Sequence, residues 1–182
     1  MKKDQIVQEI ALPDSVSASV ESNTLFVKGP KSEVKRQLKQ HGVSLKAENK
    51  KITLQSERAT KKGKKTLSTL AAHIRNMVRG CQQDHIYTLK VCSGHFPMNV
   101  AVNGDKFIVK NFLGEKVPRV LELKKGAEVK VHGDLIYVSS PSKEIAGQVA
   151  ADIEQLTRRP GFDTRIFQDG IYLVNKDGKE LK

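Results

Sequence analysis

Apolar and polar residues alternate twice along the chain in the same order. Val43, Leu45 and Ala47 alternate with polar positions, Glu48 to Lys51 forms a polar break, and Ile52, Leu54 and Ser56 resume the alternation. Period-two patterning of this length predicts two half-buried strands joined by a turn. Eighty-four positions on, Ala127, Val129 and Val131 lead through His132-Gly133-Asp134-Leu135 to Ile136, Val138 and Ser140, and the apolar positions superpose without a gap. Upstream, Val16, Ala18 and Val20 pass through Ser22-Asn23 to Leu25-Phe26-Val27, matched by Val100 and Val102, Asn103-Gly104, then Phe107-Ile108-Val109. Asn103-Gly104 reads as a hairpin turn because both residues tolerate positive φ.

Each copy closes on a helix. Leu67, Leu70, Ala71, Ile74 and Met77 recur at helical spacing, with Thr66 the expected N-cap, Gly80 the expected stop, and Ser68, Ala72, Arg75 and Arg79 on the opposite face. In the second copy Ser142 caps a stripe of Ile145, Val149, Ile153 and Leu156. The order strands, strands, helix, repeated, predicts an α+β protein of two tandem homologous domains, each with antiparallel strands packed on one helix. The expected domains are residues 1–82 and 83–182, with Ile86 to Val91 a strand crossing or joining the halves. A length of 182 residues accommodates two such small domains.

Charge turns the picture towards a polyanionic partner. Lys and Arg number 32 against 20 Asp and Glu, a formal net charge of +12, and an isoelectric point near 9.7 fits phosphate neutralisation by a nucleic-acid binder. The excess is uneven: residues 1–82 carry 17 basic and 7 acidic residues, residues 83–182 carry 15 and 13. Arg58 to Lys65 concentrates five cations, Lys61, Lys62, Lys64 and Lys65 among them, with no acid. This run is expected as a loop between a strand and the first helix's N-terminus, where free backbone N–H groups also favour phosphate; a merely solvated loop is the plain alternative.

Other chemistry finds little footing. Gly63-Lys64 lacks the glycine five positions earlier and the hydroxyl after lysine that a phosphate cradle requires. Cys81, His85, Cys92 and His95 are zinc-ligand types, but an apolar strand separates the pairs, so packed thiols are the better account and no metal or other cofactor is expected. His41, His73, His85, His95 and His132 are scattered, which gives no nucleophile or paired acid and base, and no enzyme or small-molecule substrate is expected. No run approaches the roughly 18 apolar residues of a membrane span, and Met1-Lys2-Lys3 is followed by Asp4 and Gln5 rather than an apolar signal core. A start near Met1 and a reducing, cytoplasmic setting are expected. Aromatics make up 5% with no Trp, which favours folded or double-stranded RNA over single strands gripped by stacked bases. Phe96, Phe107, Phe112, Phe162, Phe167, Tyr137 and Tyr172 are expected as core or interface anchors.

Four strings carry more than this generic reading: His73-Ile-Arg-Asn-Met-Val-Arg-Gly80, His95-Phe-Pro-Met-Asn-Val100, Asn111-Phe-Leu-Gly-Glu-Lys116, and Arg165-Ile-Phe-Gln-Asp-Gly-Ile-Tyr172 followed by Lys176. In this order, over nearly the whole chain, they resemble the universal large-subunit ribosomal protein six family, with the last string closest to its archaeal and eukaryotic form. The resemblance implies a duplicated, non-enzymatic fold bound to large-subunit rRNA in the cytoplasmic ribosome. It places the main rRNA contact in the second domain, near the sarcin-ricin loop, with ribosomal proteins of the stalk base as neighbours. Carried over to this sequence, the contact positions are Arg158, Arg159, Arg165, Lys176 and Lys179, while Phe167, Asp169, Gly170 and Tyr172 shape the segment, Asp169-Gly170 as a turn. Charge alone nominates the first half instead, so the lysine run is kept as a peripheral rRNA contact. Two other classes stay open on the residues: a free-standing RNA-binding protein for tRNA or mRNA, and a zinc-dependent enzyme.

Overall fold

The computed structural model describes residues 5–21, 24–38, 42–48, 50–56, 60–163 and 165–181. The expected turn at Ser22-Asn23, His41 and Arg58 lie outside the described residues. Two compact units divide the chain, Met1–Asp84 and His85–Lys182.

The first unit contains β1 (Ile6–Ala11), β2 (Ser17–Glu21), β3 (Thr24–Lys28), β4 (Glu33–Gln37), β5 (Val43–Glu48), β6 (Lys51–Ser56) and α1 (Lys61–Gln82). Its strands form two antiparallel sheets, ordered β1-β6-β5 and β2-β3-β4. The second unit repeats the series as β7 (His85–Cys92), β8 (Asn99–Asn103), β9 (Lys106–Lys110), β10 (Arg119–Glu122), β11 (Glu128–His132), β12 (Leu135–Ser140) and α2 (Lys143–Leu156). It then adds β13 (Gly170–Lys176) and β14 (Lys179–Glu180). The sheets are β10-β9-β8 and β11-β12-β7-β13-β14. The order β5-β6-β1 thus recurs as β11-β12-β7, with β13 added to the edge of β7. The expected bridging strand is therefore wholly internal to the second unit, seated between β12 and β13.

One helix per unit packs against strands of both sheets, α1 on β1, β6, β3 and β4, and α2 on β7, β12, β13 and β10. Leu67, Leu70, Ala71, Ile74 and Met77 are buried against Ile10, Leu25, Val27, Ile52 and Leu54. Ala146, Val149, Ala150 and Ile153 are buried with Leu89, Phe107, Val109, Ile136 and Ile171.

Helix α1 differs from expectation at both ends. Its N-cap is Thr60, not Thr66; the Thr60 hydroxyl accepts the Gly63 N–H at 3.0 Å. The lysine run is consequently the opening of the helix rather than a loop, because lysine is a good helix former once a cap is in place. Nor does Gly80 stop the helix, which continues to Gln82. Here the β3–β4 loop closes on the helix end: a Cβ on Gly29 would stand 2.6 Å from that of Cys81, so only glycine fits. The Cys81 thiol donates to the Val27 carbonyl at 3.2 Å, and burial pushes its pKa up.

The Asn103-Gly104 turn also shifts by one residue from the sequence expectation. Asn103 pairs with Lys106, leaving Gly104 and Asp105 as the turn, with Gly104 at φ 57. Glycine at the first central position matches a II′ hairpin turn, and Gly133 at φ 57 repeats it between β11 and β12.

The return segment after α2 is fastened at two places. Asp169 is buried, and its Oδ1 accepts the backbone N–H groups of Gly94 at 2.6 Å and His95 at 3.0 Å, while Oδ2 meets His95 Nδ1. Further on, Asp177 holds buried His85 at 3.0 Å and Lys143 at 3.1 Å, and donates its N–H to the Ile86 carbonyl.

Two expectations follow for stability. Ile74 and Ile153 are both 0% exposed, so Ile74→Ala and Ile153→Ala should each destabilise their own unit by about 2–5 kcal/mol in denaturant unfolding. For Asp169, burial pushes the carboxyl up, but the His95 N–H and ring together with the Gly94 N–H outweigh it and hold the pKa below the ordinary value. A folded pKa below the unfolded one contributes stability above about pH 3.9 that is lost as pH falls through the folded value. Asp169→Asn should lower the melting temperature at neutral pH and flatten its decline below about pH 4. A decline as steep as in the wild type would assign the acid sensitivity elsewhere.

Candidate nucleic-acid interface

Basic residues sort by what already holds them. Lys61, Lys62, Lys64 and Lys65 lie on the opening turns of α1, Lys61, Lys62, Lys64 and Lys65 all on its first two turns, and the helix has no acidic residue in its first turn. Cations at the positive end of the helix dipole, and like charges three and four residues apart, both oppose folding. Lys176 and Lys179 face each other in register across the β13–β14 hairpin. Like charges directly opposed in this way are unfavourable. The turn that imposes the register is Asp177-Gly178, at φ 55 and 87, the signature of a I′ turn. None of these six lysines forms an ion pair among the described residues.

The arginines differ from one another. Helix α2 ends at Leu156 with Thr157 as its C-cap, and the Arg158 N–H donates to the Gln155 carbonyl at 3.1 Å. The Arg158 residue itself is exposed. Arg159 lays its guanidinium 4.4 Å over the Phe162 ring and stands 3.7 Å from a Glu115 oxygen. Arg165 is engaged by Asp163, with Nη2 donating at 2.7 Å and Nε at 3.0 Å. That hydrogen bond lowers the Asp163 pKa. The structure therefore brings Arg158 and Arg159 together at one cleft, while Arg165 is not among its walls.

The cleft has a volume of about 560 Å³ and is bounded by Phe112 and Leu113, by the Thr157–Phe162 turn, and by the start of β13. The Thr157 hydroxyl joins two of these walls, accepting the Ile171 N–H at 2.9 Å and donating to the Glu154 carbonyl at 3.2 Å. Asp169-Gly170 is not a turn: Asp169 is the buried acceptor described above and Gly170 opens β13. Glycine leaves room there for Tyr172 to fold back over it: a Cβ would stand 3.2 Å from the Tyr172 ring, which would have to move by a few tenths of an ångström.

Arg119 and Glu115 carry no signal in the sequence pattern. Arg119 grips Glu115 through Nε at 2.8 Å and Nη2 at 2.7 Å, donates to the terminal Leu156 carbonyl at 2.6 Å, and covers Phe112 at 4.4 Å. Its hydrogen bond pulls the Glu115 pKa down. This cation is an internal brace for the end of α2. The His95–Asp169 pairing is equally silent in the pattern, although each residue lies in one of the four strings singled out from the sequence.

Three of the four zinc-ligand types engage separate partners. Cys81 bonds Val27, His85 bonds Asp177, His95 bonds Asp169, and Cys92 is half-buried. No cluster of three or more metal-ligating side chains occurs among the described residues. Among those residues, no helix is long and apolar enough to cross a membrane.

Comparison with known proteins gives a consistent answer across the chain. The family model described as Ribosomal protein L6 matches residues 12–84 and again 96–170, one match in each unit. The chain is 43% identical over 176 residues to "Large ribosomal subunit protein uL6" of Methanococcus vannielii, covering 97% of each chain. It is 40% identical over 173 residues to the protein of the same name from Methanothrix thermoacetophila, covering 95% of this chain and 98% of that one. With its duplicated fold and its matches over nearly the full length to archaeal uL6 proteins, the chain belongs to the ribosomal protein L6 family, a family of structural ribosomal proteins and not of enzymes.

Proposed function

We propose that this chain is a structural constituent of the large ribosomal subunit, acting in the cytoplasm as part of the ribosome. Its rRNA-binding residues are Arg158, Arg159, Arg165, Lys176 and Lys179, in a domain spanning 83–182 that docks near the sarcin-ricin loop. Neighbouring proteins of the stalk base complete its surroundings. One observation carries this choice of face: Lys176 and Lys179 are held opposite each other by their own hairpin, an arrangement unfavourable for the isolated protein and favourable against a phosphate backbone. Tyr172 and Lys176 lie four residues apart on β13, roughly 13 Å at about 3.3 Å per residue. The strand, with a register shift between Leu173 and Asn175, thus separates the Arg158–Arg159 cleft from the hairpin lysines, two cationic groups that suit more than one phosphate of a folded RNA.

The lysines of α1 are the second, peripheral contact. Backbone N–H groups and four ammonium groups share one helix end, and an anion there relieves both the dipole and the like-charge repulsion.

The two contacts have separable signatures in binding to purified, deproteinised large-subunit rRNA. Replacing Arg158, Arg159 and Arg165 together with Gln should weaken binding and reduce the salt slope by roughly 0.7–0.9 for each phosphate no longer neutralised. Melting should be checked first, since Arg159 touches Phe162 and Glu115. Wild-type affinity and slope in that triple variant would reject the second unit as the primary site.

Replacing Lys61, Lys62, Lys64 and Lys65 with Gln should lower the slope with a smaller drop in affinity, and the melting temperature should hold or rise as repulsion is relieved. An unchanged slope would leave that helix end merely solvated.

A further inference from the structure

The cleft beside Arg158 and Arg159 has more structure than phosphate binding requires. A phosphate needs guanidinium or backbone N–H groups, yet this recess encloses about 560 Å³ between aromatic and aliphatic side chains, a volume within the range that accommodates a small ligand. Phe162 and Tyr172 remain 39% and 40% exposed at its walls. Each is held in place from behind. Phe162 meets Phe167 edge-on at 5.0 Å, Phe167 lies 5.2 Å from the His95 ring, and His95 is anchored on buried Asp169. Tyr172 lies back over Gly170, where any larger residue would displace it.

The opposite wall is held in a conformation that costs energy. Leu113 has φ 48 and ψ 34, and Asn111 has φ 59. A bulky residue in the left-handed region is an outlier that persists only where its surroundings enforce it, and such outliers cluster at ligand sites. Here they bury Phe112 and turn Leu113 into the cleft wall.

We propose that this cleft receives one unpaired nucleotide extruded from the folded rRNA. The base lies against the planar groups of Phe162, Tyr172 and the Arg159 guanidinium, and the flanking phosphates meet Arg158 and Arg159. The proposal rests on the rRNA-binding reading above and extends it from phosphate contact to capture of a base. Flat aromatic and guanidinium surfaces are what splayed-out bases stack on in sequence-specific RNA recognition. Two guanidiniums at the mouth complement the charges on either side of a single nucleotide. Glu154 and Gln155, also at the walls, offer hydrogen-bonding groups to a base edge. A low overall aromatic content is compatible with this, since one nucleotide needs two or three rings rather than a platform.

The full chain tests the proposal in two ways. In heteronuclear NMR, titration with AMP, GMP, CMP and UMP at millimolar concentration should shift the ring resonances of Phe162 and Tyr172, and ribose 5-phosphate should not. Rings that stay unmoved by all four nucleotides, or that move equally with ribose 5-phosphate, would overturn the base pocket. In binding to deproteinised large-subunit rRNA, Phe162→Leu alone and together with Tyr172→Leu should weaken affinity about tenfold per stacking ring, with the salt slope unchanged. Variants that melt as the wild type and bind rRNA with wild-type affinity would also reject it, and would leave the cleft to an acidic protein segment. The two readings fail separately. If the wild type binds no rRNA, the ribosomal-RNA reading of this face falls; if it binds and the aromatic variants bind equally, only the nucleotide pocket falls.

Discussion

In each unit a single helical stripe closes two small sheets that cannot bury themselves. Three of the four sheets have three short strands and the fourth has five, and sheets this small gain independent stability by packing an apolar face against a helix. The stripe of α1 reaches both sheets of its unit, and α2 does the same. Removing apolar volume from Ile74 or Ile153 therefore loosens two sheets at once.

The copies diverge where the helix ends, and that divergence produces the candidate interface. Counting from the equivalent isoleucines, α1 continues eight residues past Ile74 to Gln82, whereas α2 stops three residues past Ile153 at Leu156. Five fewer residues at about 1.5 Å each shorten the helix by roughly 7 Å. In the second unit the chain is released early, turns at Gly161 with φ 86, and returns as β13 along the edge of β7. Arg119 then covers the Leu156 carbonyl at the exposed helix end, the cap Thr157 accepts the Ile171 N–H, and Asp169 fastens the returning chain to the Gly94–His95 backbone. The cleft is the space this patching leaves.

Local pattern makes the repeat, the hairpins and both helical stripes legible, because alternation and helical spacing are properties of neighbouring residues. The ends of α1 depart from the pattern for physical reasons that sequence alone conceals. Thr60 and Thr66 are chemically equivalent caps, and the spacing of the buried stripe that starts at Leu67 does not count the turns that precede it. Gly80 resembles a stop, yet its place inside the helix follows from the approach of the Gly29 loop, about fifty residues away in sequence. Likewise the roles of Arg119, Asp169 and Asp177 depend on partners distant in sequence. The motif resemblance singles out a segment of the second unit without revealing that Asp169 is a buried strap rather than part of a turn.

Net charge and ion pairing nominate different parts of the chain, for a reason the pairing makes plain. The second unit is nearly balanced, but several of its acids are engaged internally: Glu115 on Arg119, Asp163 on Arg165, Asp169 on His95, Asp177 on His85 and Lys143. Subtracting them from the basic residues of the unit counts charges that cannot neutralise Arg158, Lys176 or Lys179. What matters for an anionic partner is the set of cations whose positions conflict with their own chain, since a sequence otherwise tends to agree with itself at every level. By that criterion the hairpin lysines and the lysines opening α1 stand together, and Arg119, however basic, belongs to the core. Arg165 falls between the two, because an exposed ion pair is weak enough to be exchanged for phosphate while still lowering the free protein's affinity for a competing anion.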